Sequence, residues 1–250
     1  MILAITGMHR SGTSLVASWL QACGLVLDNG RVVPPYPDNP LGFFEDADFV
    51  DLHAISIRRR SRWSAGWKLA SRHPLGFSIP EREIAERLIK QRSDVFPVWG
   101  WKDPRTVLFL HQWKRLIPSL KVIICWRSPE EVVFSLLNRW RISGTRYHYL
   151  DPIWAINMWK AYNSVAVQYF KNHGNDTIIF SINKLIDNDY FTFININKKF
   201  GNKLEYKDFN TLYRSDMLNN GSTFYWIRIL CLIFKCKNLE RIIDENSLKN

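Results

Sequence analysis

Residues 7 to 14 read Gly-Met-His-Arg-Ser-Gly-Thr-Ser, set between an apolar run at 2–6 and a stretch at 13–23 in which Leu15, Trp19, Leu20 and Cys23 fall at helical spacing. Strand, glycine-bounded turn and helix, in that order, bring successive backbone N–H groups and the positive end of a helix to one point, which is a seat for an anion. Gly7 and Gly12 let the backbone approach the ligand, Ser11, Thr13 and Ser14 supply hydroxyls, and His9 and Arg10 supply basic groups. A nucleotide kinase or GTPase loop, Gly-x-x-x-x-Gly-Lys-Ser/Thr, has lysine where this chain has Thr13; the cation stands inside the loop instead, as Arg10.

Behind this loop the pattern alternates. Short apolar runs at 98–101, 121–126 and 177–180 read as strands, and 45–57, 81–92, 106–116, 129–139 and 152 to about 170 read as helices. Ser128-Pro129-Glu130-Glu131 writes a helix start, with a capping serine, proline in the first turn and glutamate three residues after the cap. Strands alternating with helices predict an α/β fold of the P-loop type, a doubly wound parallel sheet flanked by helices. The 250 residues suit one domain. Residues 171–250 hold 13 Asn against 5 in the first 170, which marks them as a candidate peripheral subdomain.

The formal net charge of +11 favours an acidic partner. Four cysteines without a Cys-x-x-Cys pair or a His partner at ligand spacing predict buried free thiols and no metal site. The apolar run 224–234 is interrupted by Arg228 and is too short to span a bilayer, so contact of that run with the inner face of a membrane is the most it suggests. The opening residues lack the basic start and the length of a secretion signal, and a cytoplasmic location is expected.

Arg10-Ser11-Gly12-Thr13-Ser14 resembles the 5′-phosphosulfate loop of sulfotransferases that use 3′-phosphoadenosine 5′-phosphosulfate. Val122 to Arg127, followed eight residues later by Ser135, resembles the 3′-phosphate motif of the same family, a strand-end arginine with a helix serine. Arg139, one helical turn beyond Ser135, is placed to join them. The resemblance implies a donor site made of His9, Arg10, Ser11, Gly12, Thr13, Ser14, Arg127, Ser135 and Arg139, with no metal required. Trp101-Lys102-Asp103-Pro104-Arg105 resembles the Lys-Asp-Pro segment of tyrosylprotein sulfotransferases, which implies Lys102 and Arg10 as the cations at the transferring group. Asp103 then orients a neighbour, and Arg105 is left between site and surface. Gly42-Phe43-Phe44-Glu45-Asp46 matches the stretch that carries the catalytic glutamate there, implying Glu45 as the base, with Asp46, Asp48, His53 and His9 as alternatives.

The resemblance covers residues 1 to about 140 and fades where a Tyr-Glu-x-Leu-like segment of the family stands as Ile182-Asn183-Lys184-Leu185, so adenine recognition is unassigned. The acceptor it suggests is the hydroxyl of a carbohydrate. Trp63, Trp67, Trp99, Trp101, Trp140, Tyr147 and Tyr149 are candidate sugar platforms, and 58–62 with Arg141 and Arg146 would suit an anionic sugar. Other readings are a P-loop nucleotide kinase, a noncatalytic nucleotide-binding module and a nonspecific nucleic-acid binder, the last without a recognition motif to specify any nucleic acid. The oligomeric state is open.

Overall fold

The structure is a computed structural model that describes residues 1–35, 42–60, 74–143, 152–212 and 225–248, with the backbone alone for 139–143. Four strands, β1 (Ile2–Gly7), β2 (Trp99–Lys102), β3 (Lys121–Trp126) and β4 (Thr177–Ser181), form one parallel sheet in the order β2-β1-β3-β4. β1 is central, with Ala4 opposite both Trp101 and Val122. From β1 the chain steps outward to β2, then crosses back to β3 and β4. That reversal opens a crevice at the carboxyl ends of the strands, where ligands of open α/β sheets bind.

Each strand is buried on both faces, and its period of two sorts the side chains between two cores. Leu3, Ile5, Ile123, Cys125, Ile178 and Phe180 pack with α1 (Thr13–Ala22), α7 (Ile182–Asp187) and α8 (Asp189–Phe200). Ala4, Trp99, Trp101, Val122, Ile124 and Ile179 face α2 (Ala47–Arg58), α3 (Ile79–Ser93), α4 (Thr106–Leu116), α5 (Pro129–Ser143) and α6 (Pro152–His173). In that second core Phe49 stacks on Trp101 with centroids 4.6 Å apart, and Trp113 closes on Trp101 at 4.8 Å. Trp99 and Trp101 are therefore core residues and not sugar platforms: they sit in a doubly buried strand, 2% and 0% exposed. Trp63, Trp67, Tyr147 and Tyr149 and the Trp140 side chain lie outside the described residues.

Helix starts follow their caps. Ser128 and Glu131 make half of the expected box: Glu131 N donates to Ser128 Oγ at 3.4 Å, while Glu131 Oε2 accepts from the Ser128 hydroxyl at 2.7 Å instead of from its backbone N–H. A complete box, Ser78 with Glu81, starts α3 at Ile79, two residues earlier than the apolar spacing suggests. α2 starts at Ala47, because Asp46 caps it by accepting from Asp48 N at 2.9 Å. This leaves Glu45 just outside the helix. In the C-terminal third, α9 (Tyr225–Ile233) and α10 (Cys236–Glu245) add Ile227, Cys231, Cys236 and Ile243 to the second core. Trp126 Nε1 donates to Ser247 Oγ at 2.8 Å, and Leu248 N to Ile179 O at 2.8 Å. The four cysteines are free and buried. On α9, Tyr225, Trp226, Ile229, Leu232 and Ile233 are exposed, and no helix among the described residues is long and apolar enough to cross a membrane.

Candidate active site

The turn between β1 and α1 holds a shape that side chains resist. Gly7 lies at φ 147°, Arg10 at 69° and Gly12 at 82°. A non-glycine residue in the left-handed region costs free energy and persists only where its surroundings impose it. A Cβ on Gly12 would lie 2.6 Å from Ile182 Cγ1, so the loop rests directly on the first residue of α7. The Ser11 hydroxyl is buried with no hydrogen-bond partner.

Arg10 Nε donates to Ser135 Oγ at 2.9 Å, which ties the loop to α5 and joins the two expected anion motifs. Arg127 stands at the end of β3, 2% exposed, its carbonyl fixed by Trp159 Nε1 at 3.0 Å. Its Nε and Nη2 make no hydrogen bond; Nη2 lies 3.2 Å from Glu131 Oε1, out of line for one. Buried guanidinium N–H groups without acceptors are costly unless something arrives to meet them. The Arg139 side chain lies outside the described residues.

At the end of β2, Lys102 is 2% exposed and uses all three donors. Its Nζ donates to Glu45 Oε1 at 2.7 Å, to Ser14 Oγ at 3.0 Å and to Phe43 O at 3.1 Å. Lys102 thus joins the first turn of α1 to the glutamate expected as base. Glu45 is aimed inward by a turn with Phe44 at φ 54° and anchored by Val33 N, which donates to Glu45 O at 2.9 Å. Arg105 is buried here too. Its Nη2 lies 3.9 Å from Glu45 Oε2, while Asp103 Oδ1 accepts from Arg105 N at 2.9 Å and Nε at 2.8 Å. The sequence alone leaves Arg105 between site and surface; the pairing Asp103-x-Arg105 ahead of a helix start is the signal that places it.

Three of the four alternative bases are occupied elsewhere. Asp46 Oδ2 accepts from Arg92 Nη2 at 2.7 Å and Nε at 3.1 Å, and burial pushes its carboxyl up despite that guanidinium. Asp48 binds Arg92 and Arg31. His53 is wholly buried. Trp113 Nε1 can only donate, and it meets His53 Nε2 at 2.9 Å; Nδ1 therefore carries the hydrogen and donates to Asp103 Oδ2 at 2.8 Å. Both ring nitrogens are engaged, which leaves no lone pair for an acceptor proton. His9 sits in the loop with its ring against Tyr162, centroids 5.7 Å apart.

Burial lowers the His53 pKa although Asp103 opposes it, so the imidazole is neutral in the folded chain. The unfolded chain takes up that proton as pH falls below about 6.5, and the stability this group contributes is lost progressively from there towards its lower folded pKa. Thermal melts between pH 7 and pH 5 are expected to fall less steeply in His53→Gln than in wild type; equal slopes would contradict a neutral His53. The Asp103 carboxyl is pushed up by burial, but the charge of Arg105 and the His53 hydrogen bond reverse this and hold it well below the usual carboxylate range.

No protein-family model and no curated protein matches the chain. Solved structures do. A sulfotransferase from Alicyclobacillus acidocaldarius aligns with a TM-score of 0.58 at 14% identity, over 97% of this chain and 95% of that one. The chain has the sulfotransferase fold. A sulfotransferase from Mycobacterium avium aligns at 0.56 with 14% identity, over 95% and 76% of the two chains. The sulfotransferase domain of an olefin synthase from Synechococcus PCC 7002 aligns at 0.51 with 13% identity, over 91% and 82%. Within the sulfotransferase fold the chemistry must still be argued from the site itself.

Proposed function

We propose that the protein transfers a sulfuryl group from 3′-phosphoadenosine 5′-phosphosulfate to an acceptor hydroxyl. The observation that carries this reading is Arg127, a buried guanidinium at the end of β3 whose Nε and Nη2 make no hydrogen bond, together with the bond from Arg10 in the loop to Ser135 on α5. Arg127 and Ser135 would hold the 3′-phosphate, and the loop from His9 to Ser14, with its unpartnered Ser11 hydroxyl, would hold the 5′-phosphosulfate. Two anion seats joined by one hydrogen bond suit a nucleotide with charge at both ends of its ribose.

In the transfer the acceptor oxygen bonds to sulfur, the bond from sulfur to the bridging phosphate oxygen breaks, and 3′,5′-phosphoadenosine leaves with the bridging oxygen. The acceptor proton goes to Glu45. Lys102 and Arg10 stabilise charge on the sulfuryl and leaving oxygens, so that positioning and electrostatics supply most of the rate. For the acceptor we favour a carbohydrate hydroxyl, as the family resemblance suggests; the formal net charge of +11 suits a sugar that is already anionic. A panel of oligosaccharides, phenols, tyrosine peptides and lipid extracts offered labelled donor tests this. Transfer to phenols or tyrosine alone would refute it.

Donor binding is expected without a metal. In thermal-shift titrations 3′,5′-phosphoadenosine should stabilise the protein in the presence of a chelator and Mg-ATP should not; a preference for Mg-ATP would favour a kinase. Arg127→Ala and Ser135→Ala should each weaken binding of 3′,5′-phosphoadenosine by roughly 1.5–3 kcal/mol, the worth of a hydrogen bond to a charged group. Calorimetry showing unchanged affinity in both variants would remove the 3′-phosphate assignment.

A further inference from the structure

We propose that Arg105 is a further sulfuryl-binding cation of this site, and that Asp103, backed by His53 and Trp113, is the positioning residue that holds it there. The proposal rests on the reading of function above. A continuous buried chain runs through the second core: Trp113 Nε1 to His53 Nε2 at 2.9 Å, His53 Nδ1 to Asp103 Oδ2 at 2.8 Å, and Arg105 Nε and N to Asp103 Oδ1 at 2.8 and 2.9 Å. Each member has one available role. Trp113 only donates, which sets the tautomer of His53; His53 then donates to one oxygen of Asp103, and the other oxygen is left for Arg105. Asp103 and His53 are 0% exposed, and the stacking of Phe109 on His53, centroids 5.0 Å apart, fixes the ring. The carbonyl of Asp103 is also bound, by Thr6 Oγ1 at 3.0 Å, so the segment is locked to β1 just before the loop.

What this assembly presents is the outer end of Arg105. The residue is 9% exposed, and of its nitrogens only the backbone N and Nε donate hydrogen bonds. Nη2 faces Glu45 Oε2 at 3.9 Å, beyond hydrogen-bond reach. A structural arginine this buried would ordinarily spend its terminal donors on carbonyls or carboxylates. Here they are kept at the carboxylate that Lys102 also binds. Beside them the Tyr162 hydroxyl is buried without a partner and feels the charge of Arg105; burial pushes its pKa up, so it remains a neutral donor. A guanidinium and a phenol with unused N–H and O–H groups, next to the lysine that reaches the phosphate loop, suit the oxygens of a tetrahedral anion. The 3′-phosphate has its own arginine at the end of β3. The group left for Arg105 is the sulfuryl.

Comparing two nucleotides tests this without an acceptor. 3′-Phosphoadenosine 5′-phosphosulfate carries the sulfuryl group and 3′,5′-phosphoadenosine does not. Calorimetry on wild type, Arg105→Gln and Asp103→Asn is expected to show the affinity for the phosphosulfate falling about tenfold more than that for the bisphosphate in both variants. General loss of fold would lower both affinities together and leave their ratio unchanged, so the ratio separates positioning from stability. Arg105→Ala should regain part of its phosphosulfate affinity in added guanidinium at concentrations too low to denature, and none in added ammonium. Equal losses for the two nucleotides, or no loss for either, would overturn the proposal while leaving the function standing. Wild type that binds neither nucleotide would overturn the functional reading and this one with it.

Discussion

Replacing Glu45 by glutamine is expected to leave donor binding intact or tighter and to lower turnover by about a hundredfold or more, the usual worth of a general base. Glutamine keeps the shape and an oxygen that can still accept from Lys102, so the 2.7 Å contact survives. It cannot take the acceptor proton. Removing one partner of a buried ion pair ordinarily destabilises by roughly 3–5 kcal/mol because the other charge is stranded. Lys102 is not stranded: Ser14 Oγ and Phe43 O remain at 3.0 and 3.1 Å. With Glu45 neutralised, Lys102 and Arg105 no longer share their charge with a carboxylate, and an anionic donor gains what the glutamate gives up. The two readouts therefore move apart, turnover down and donor affinity level or up. Steady-state rates at saturating donor together with calorimetry check both. Unchanged turnover would refute Glu45 as base, and it could not be rescued by naming His53, Asp46 or Asp48, whose acceptors Trp113, Arg92 and Arg31 already occupy.

Local chemistry made the sheet and the glycine-bounded loop after β1 legible. The runs at 2–6 and 121–126 are apolar because both faces of those strands are covered, and Gly7 and Gly12 mark a turn that other residues cannot make. Lys102 and Glu45 were legible only through a motif resemblance, since nothing in their spacing brings together residues 57 positions apart. His53 misleads for a related reason. A histidine near a candidate site reads as chemistry until Trp113, sixty residues on, is seen to occupy its free nitrogen. The aromatic segment Trp99–Trp101 reads as a platform because composition carries no burial; in a central parallel sheet it becomes core. Helices α8 and α9 are hard to read from spacing because α8 mixes Asn, Tyr and Thr among its apolar residues and α9 keeps apolar residues on its exposed face as well.

Gly7→Ala should be among the most damaging small substitutions at the described glycines. At φ 147° a β-carbon is strained whatever surrounds it, and here it would also lie 2.1 Å from Cys125 O, a backbone atom of the neighbouring strand. No rotamer relieves such a clash. Either the pairing of Gly7 with Cys125 opens or the loop swings off the end of β1. Overpacking against backbone and a forbidden dihedral together are expected to cost about 3–5 kcal/mol, at the far end of single-residue effects. In a domain this large, roughly 2–4 °C per kcal/mol makes that a fall in Tm on the order of 10 °C. Gly24 and Gly30 provide the control: both have positive φ, 100° and 96°, but a Cβ at either meets nothing within 4 Å. Alanine there should cost only the dihedral strain, about 1–2 kcal/mol. If Gly7→Ala melts within a degree or two of Gly24→Ala, the close approach of β1 to β3 at the loop is wrong. The loss should also reach the site, because Thr6, the preceding residue, holds Asp103 O and Pro104 O at 3.0 and 3.1 Å. Displacing the end of β1 therefore moves the segment that carries Lys102 and Arg105, and nucleotide binding should fall in Gly7→Ala even at temperatures where the protein remains folded.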